Sequence, residues 1–156
     1  MMRPCPYPVS RLLPHAPPMI LLDAVVGWQP GALDAQVTIN PRSRFFQPGR
    51  GIPGHIIIEY MAQACGAYAG LEAVEADQPV RMGFLLGTRN FESSVAWIGA
   101  GTTLTVSVSE VLHQPPMAIF DCRVLLDGRP IATARLTVYQ PESSPIQADM
   151  TMGAPS

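Results

Sequence analysis

The chain has no lysine, and this absence already excludes several kinds of catalytic site. All ten basic residues of the 156-residue chain are arginine. A lysine that forms a Schiff base and a lysine in a phosphate-binding P-loop are therefore excluded. The net charge is only −2, so the chain as a whole is not drawn to nucleic acid or to an anionic membrane. We expect neither of these as a partner.

Cysteine is also scarce, and its spacing does not suit a metal site. The three cysteines, Cys5, Cys65 and Cys122, lie far apart and include no C-x-x-C pair or zinc-binding spacing. We expect reduced thiols in a cytoplasmic protein, with Cys65 and Cys122 packed in the core. Neither a metal nor another cofactor is expected. The N-terminus also lacks the apolar segment that a secretory signal needs.

No hydrophobic run is suited to spanning a membrane. The most apolar stretch, residues 56–74, carries Glu59 and Glu72 and is rich in alanine and glycine. Charged groups are costly inside a bilayer, so this stretch is predicted to be a buried helix. The helix is predicted to begin at Pro53-Gly54, because proline is tolerated in a first turn, and to end near Ala76.

Two glycines indicate that the predicted helix is enclosed by the rest of the fold. Gly66 and Gly70 each weaken an isolated helix by about 1 kcal/mol relative to alanine. The helix therefore needs tertiary packing, and its many small residues allow another backbone to approach closely. We expect it to be wrapped by other elements.

The rest of the chain alternates between apolar and polar residues with the period of two that is typical of strands. Turn signals separate the strands at residues 29–31 and 127–128. The predicted strands are residues 19–28, 33–40, 81–92, 103–111, 117–126 and 131–139. Short connections make the last strands antiparallel, and one antiparallel sheet on one long helix is an α+β arrangement.

The chain is long enough for one domain with one hydrophobic core. Residues 1–18 are rich in proline and are predicted to be irregular. Residues 19–140 are predicted to form the domain. Residues 141–156 form a polar tail that is predicted to be disordered.

Several segments carry a resemblance to a known family. They are residues 13–15 (LPH) and 18–23 (PMILLD), residues 45–47 (FFQ), and residues 82–87 (MGFLLG). The most specific segment is the pattern P-G-x-x-x-x-E-x-M-A-Q at residues 53–63. Together they resemble the FabZ/FabA-type 3-hydroxyacyl-(acyl-carrier-protein) dehydratases over about residues 11–140. The resemblance is strongest to a divergent branch of that superfamily found in aryl polyene biosynthesis.

The resemblance implies both a fold and an activity. The fold is the hot-dog fold, in which an antiparallel sheet wraps around one long central helix. The activity is dehydration of 3-hydroxyacyl thioesters, bound to acyl carrier protein or coenzyme A, to trans-2-enoyl thioesters in fatty-acid or polyene-type biosynthesis. A homodimer or higher oligomer is expected, because pairing two sheets covers an exposed edge strand and completes the site.

The chain departs from the family at the catalytic histidine. The family's histidine lies in an H-F-P-G element upstream of the helix, whereas residues 47–51 contain no histidine. A histidine instead occupies position 55, four residues before Glu59, which matches the family's acid. We hypothesise that His55 is the base for the C2 proton and that Glu59 is the acid for the departing hydroxyl group. The pair acts within one chain or across a dimer.

Further residues complete the predicted site. The resemblance implies that the Gly54 N–H, at the positive end of the helix, binds the thioester carbonyl. Gln63 is predicted to hold the acid or a water, and Phe84 is predicted to line an acyl tunnel. A basic loop suits an acidic carrier protein, and it contains Arg42, Arg44 and Arg50.

Two other functions stay open. An acyl-thioesterase on the same fold would use Glu59 as base or nucleophile, because a fold does not separate the two activities. A non-catalytic partner subunit of an active dehydratase would explain the missing upstream histidine. Of the remaining histidines, His15 is predicted to be structural and His113 to be a surface turn residue. His15 is the next candidate for the base if His55 is not.

Overall fold

In the computed structural model the chain is described over residues 2–15 and 19–141. These residues include helices α1 (Val9–Leu12) and α2 (Ile57–Glu75), and a 3-10 turn at Gly54–Ile56 leads into α2. The strands are β1 (Ala24–Gln29), β2 (Ala32–Thr38), β3 (Ile52–Pro53), β4 (Phe84–Ser93), β5 (Trp97–Ile98), β6 (Thr103–Gln114), β7 (Met117–Leu126) and β8 (Arg129–Tyr139). The tail predicted to be disordered lies outside the described residues from position 142 onward.

Six strands form one antiparallel sheet in the order β1-β2-β6-β7-β8-β4. The short strands β3 and β5 pair with each other next to the start of α2. Helix α2 packs against β2, β6, β7 and β8, so the middle of the sheet covers it. The predicted α+β hot-dog architecture is confirmed. No helix in the described part of the chain is long and apolar enough to cross a membrane.

Burial alternates along the strands as the period-two pattern predicts. In β6, Leu104, Val106 and Val108 are fully buried, whereas the residues between them reach the other face of the sheet. The turn between β7 and β8 also follows the prediction. Asp127 and Gly128 both have positive φ, 51° and 79°, as the tight turn of a two-residue hairpin requires.

The first predicted strand differs from the observed one. A strand was expected from residue 19, but β1 begins at Ala24. Before that point the backbone bonds to a helix side chain, because the Gln63 amide accepts from the Leu21 N–H at 2.8 Å and donates to the Met19 carbonyl. Here the backbone bonds to the Gln63 side chain instead of to a neighbouring strand. The alternation of apolar and polar residues gives no sign of such a side-chain partner.

The N-terminal segment makes the closest backbone approach to α2. A methyl group at Gly70 would lie 1.8 Å from the Leu12 carbonyl oxygen, and one at Gly66 would lie 3.4 Å from the Leu13 side chain. The small residues of α2 therefore do admit another backbone, as predicted. That backbone belongs to the end of α1 and the residues after it.

The two core cysteines face each other between α2 and β7. Cys65 and Cys122 are buried, and their sulfur atoms are 3.7 Å apart as free thiols. Burial, together with the neighbouring Cys122 thiol, raises the pKa of Cys65 well above its usual value. The Cys65 thiol therefore stays protonated at neutral pH, and the burial of both cysteines fits packed core residues.

Gly70→Ala should destabilise the protein. The added methyl group would overlap the Leu12 carbonyl, so α1 must move away from α2. We expect the free energy of unfolding to fall by about 1–3 kcal/mol, although alanine has the higher helix propensity. Urea unfolding measures this change.

Gly99→Ala is the matched control, because a methyl group there meets no atom within 4 Å. It should change the stability by less than about 0.5 kcal/mol. Equal stabilities of the two variants would contradict the close packing of α1 on α2.

The core thiols should react only after unfolding. In the folded protein we expect Ellman's reagent to label Cys5, which is partly exposed, and to leave Cys65 and Cys122 unmodified. In denaturant, all three thiols should react. Prompt labelling of Cys65 in the folded protein would show that this part of the core is open.

Candidate active site

Glu59 lies in the first turn of α2 and borders a cavity of about 240 Å³. The cavity lies between the N-terminal half of α2, the segment before β1, and the start of β4. Most of its surface is apolar. The apolar side chains that line it are Leu13, Met19, Leu21, Phe45, Ala62, Phe84, Leu85 and Val138. The cavity therefore suits a hydrocarbon chain with a carboxyl group at one wall.

Several other polar side chains border the same cavity, and they come from different segments. They are His15, Arg44, Gln63, Arg81 and Gln140. The Nδ1 atom of His15 and the Nε atom of Arg81 are buried and have no hydrogen-bond partner among the described residues. Neither residue was assigned to the site from the sequence. The signal for His15 was present, because it belongs to the LPH segment of the family resemblance, whereas Arg81 gave none.

Gln63 borders the cavity, but both ends of its amide are already used. It holds Met19 and Leu21 against α2 through the two hydrogen bonds described above. The structure therefore gives it a role in building the cavity wall. Its predicted contact with the acid or with a water stays a prediction.

His55 does not border the cavity of Glu59 in the same chain. It lies in the 3-10 turn before α2 with its side chain exposed, and Glu59 is also exposed. Within the described residues, no hydrogen bond or ion pair joins the two side chains. The spacing of four residues does not by itself assemble the pair, because the turn that carries His55 is not part of the regular α-helix.

The predicted role of the Gly54 N–H requires a correction. This N–H donates to the Ala96 carbonyl oxygen at 2.7 Å, so it is not free for a thioester carbonyl. A methyl group at this position would lie 2.5 Å from the Val95 carbonyl oxygen. Glycine is needed here because the chain just before β5 approaches closely.

The three arginines of the predicted docking loop do not lie together in the structure. Arg42 and Arg44 border a second cavity of about 560 Å³, together with Ser43 and Tyr60. The guanidinium of Arg50 instead lies 5.3 Å from the centre of the Trp97 ring. Arg44 also borders the Glu59 cavity, so the two cavities adjoin. Burial and the nearby Asp23 carboxylate raise the pKa of Tyr60, which lines the second cavity, to about 12, so its hydroxyl is neutral at pH 7.

Phe84 lines the Glu59 cavity, where the sequence predicted an acyl tunnel. It also begins the edge strand β4, and it is 47 % exposed. Leu85 and Leu86 follow it with 41 % and 57 % exposed. One wall of the cavity is thus formed by an unpaired apolar edge. Among the described residues no group of ligands suited to a metal ion is present.

Comparison with known proteins identifies the family. Residues 7–151 match the model of the ApeP-like family, described as ApeP dehydratase. A FabZ 3-hydroxyacyl-[acyl-carrier-protein] dehydratase from Syntrophotalea carbinolica is 33 % identical over 143 residues, which cover 86 % of this chain and 94 % of that protein. The corresponding FabZ from Shewanella sediminis is 30 % identical, with 82 % and 86 % of the two chains covered.

A solved structure agrees in fold over nearly the whole chain. It is the dehydratase heterocomplex ApeI:P from Xenorhabdus doucetiae, with a TM-score of 0.83, 29 % identity, and 95 % of this chain and 99 % of that chain covered. The PaaI protein of E. coli shares the fold alone, with a TM-score of 0.58 and 10 % identity. The predicted FabZ-like family and the predicted hydro-lyase class are confirmed. The chain belongs to the ApeP-like family of dehydratases.

Proposed function

We propose that this protein removes water from 3-hydroxyacyl thioesters carried on an acyl carrier protein, giving trans-2-enoyl thioesters in fatty-acid or polyene-type biosynthesis. One observation carries the proposal. Glu59, the residue that matches the family's acid, borders an apolar cavity that suits an acyl chain. Coenzyme A thioesters present the same acyl group and are the second form of substrate.

The reaction needs a base, an acid and a donor for the thioester oxygen. His55 takes the C2 proton, and the Glu59 carboxyl group acts as the acid that gives a proton to the hydroxyl group. The C–O bond then breaks, water leaves, and the electron pair of the C2–H bond becomes the new double bond. Negative charge that develops on the thioester oxygen is stabilised by free N–H groups and by the dipole at the start of α2.

We place the two ionisable residues of one site on two copies of the chain. Each is exposed in its own chain, and His55 does not border the cavity of Glu59. The apolar edge strand β4 supports a homodimer or larger assembly, because pairing with a second copy would cover Leu86 and its neighbours. Phe84 and Leu85 belong to both the edge and the cavity wall, so the second copy would also close the cavity.

The second cavity gives the carrier's phosphopantetheine arm a route to Glu59. Arg42 and Arg44 can pair with its phosphate group, and Arg44 borders both cavities. Arg50 belongs to the same exposed loop and extends the positive surface that an acidic carrier protein would contact. The proposal includes a cytoplasmic location, which the free thiols of Cys65 and Cys122 fit.

A second arrangement is a subunit that works only with a related chain. It is favoured by the likeness to a structure that is itself a heterocomplex, and by the missing upstream histidine. Mass spectrometry separates the alternatives when the pure protein is incubated with a 3-hydroxyacyl-carrier thioester. Loss of water supports the dehydratase, loss of the acyl group supports a thioesterase, and no change supports the partner subunit.

Variants of the two ionisable residues should complement each other. His55→Ala and Glu59→Gln should each lower turnover by about 100-fold or more, because each removes one proton-transfer group. When the two variants are co-expressed, half of the dimers carry one intact site out of two. Turnover should then recover to about a quarter of the wild-type value.

His113→Ala is the control for this experiment, because the side chain of His113 lies on the surface with 56 % exposed. It should retain normal turnover. A co-expressed pair that stays as inactive as either single variant would show that one site does not draw on two chains.

Leu86→Glu should disrupt self-association. The substitution places a charge on the most exposed apolar side chain of β4, where a partner strand would have to bury it. Light scattering should report a mass near 16.8 kDa for the variant and at least twice that for the native protein. Val111→Glu alters an apolar side chain of similar exposure on β6 and should leave the mass unchanged. A native protein that scatters as a single chain would contradict the assembly.

A further inference from the structure

The segment before β1 brings a histidine into the Glu59 cavity. Leu12 lies against Gly70 and Leu13 lies against Gly66, so the chain here runs along α2 toward the helix N-terminus. His15 comes two residues later and borders the cavity that Glu59 also borders. After His15, the Gln63 amide holds Met19 and Leu21 against the same helix. His15 is thus anchored from both directions.

The Nδ1 atom of His15 lacks a partner where one is expected. It is buried, and none of the described residues forms a hydrogen bond with it. Leaving a buried polar atom unpaired costs about 1–3 kcal/mol, and folded proteins rarely keep one without a ligand, a water or a functional reason. A ligand in the cavity would supply the missing partner.

The chemistry of the other polar groups in the cavity indicates which part of the substrate would be the partner of His15. The Gln63 amide is occupied by backbone, and the Arg44 guanidinium lies 5.2 Å from the centre of the Phe45 ring. Arg81 also has an unpaired Nε, but a guanidinium can only donate hydrogen bonds. Glu59 must reach the 3-hydroxyl group in order to protonate it. His15 borders the same cavity, and the 3-hydroxyl group is the oxygen of the acyl part that carries a hydrogen to donate to an unpaired acceptor.

We propose that His15 is a substrate-binding residue that accepts a hydrogen bond from the 3-hydroxyl group at Nδ1. This inference rests on the proposed dehydratase function. A hydroxyl group donates one hydrogen bond and accepts others. When its hydrogen points to His15, a lone pair is free to receive the proton of Glu59. His15 itself neither gains nor loses a proton, and water leaves with its own hydrogen and the one from Glu59.

The test compares two ligands that differ only in the 3-hydroxyl group. The parent protein is Glu59→Gln, which binds substrate without turning it over. Calorimetry measures the dissociation constants of 3-hydroxydecanoyl-pantetheine and decanoyl-pantetheine. We expect the parent to prefer the hydroxylated ligand. Adding His15→Phe, which keeps a ring of similar size but removes the acceptor, should reduce that preference by about 3- to 10-fold.

His15→Asn provides the rescue, because its side-chain oxygen lies near the place of Nδ1 and also accepts a hydrogen bond. It should restore most of the preference. Melting temperatures check that each variant is folded, and His113→Ala in the same parent should keep the full preference.

The experiments distinguish failure of the proposed function from failure of the role proposed for His15. If the native protein releases no water from any 3-hydroxyacyl thioester, the proposed function is wrong. If it does release water but His15→Phe keeps the full preference for the hydroxylated ligand, His15 has only a structural role and this inference is overturned.

Discussion

The seating of the N-terminal segment on α2 is the contact on which the candidate site depends. Gly70 and Gly66 let the backbone around Leu12 and Leu13 approach the helix, and Gln63 binds the segment again further along. Between these contacts His15 borders the cavity beside Glu59. A larger residue at Gly70 would push Leu12 away from the helix. The small residues that weaken the isolated helix are thus what makes room for the site.

The opposite wall of the cavity is built differently, because it is an unpaired sheet edge. Strand β4 bonds to β8 on one side, and on the other it presents Phe84, Leu85 and Leu86 to solvent. An exposed apolar edge is unfavourable in an isolated chain and favours pairing with a second strand. Assembly and catalysis are therefore connected in this proposal, since the partner that covers the edge also closes the cavity.

The sequence predicts those features that depend on local patterns. Alternation placed β6 to β8 correctly, and the dipeptide Asp127-Gly128 predicted the hairpin, because both signals are read within a few residues. The predicted start of β1 was wrong because Met19 and Leu21 bond to Gln63, which lies about forty positions later in the chain, a distance that no local pattern reports. Gly54 shows a similar limit. Its place at the start of the helical segment was predicted, but the 3-10 turn that it begins and its N–H partner on the chain before β5 were not.

The positions of His55 and His15 show why spacing along the sequence does not by itself define an active site. His55 stands four residues before Glu59, yet the 3-10 turn that carries it leaves the two side chains unjoined within one chain. His15 stands forty-four residues before Glu59, yet the packing of α1 on α2 brings it to the same cavity. In the proposal, His55 therefore acts from a second chain, whereas His15 acts from the chain that carries Glu59. The base then comes from the partner, and the contact to the hydroxyl group comes from the same chain as the acid. Diluting the dimer would then lower turnover far more than it lowers the preference for a hydroxylated ligand.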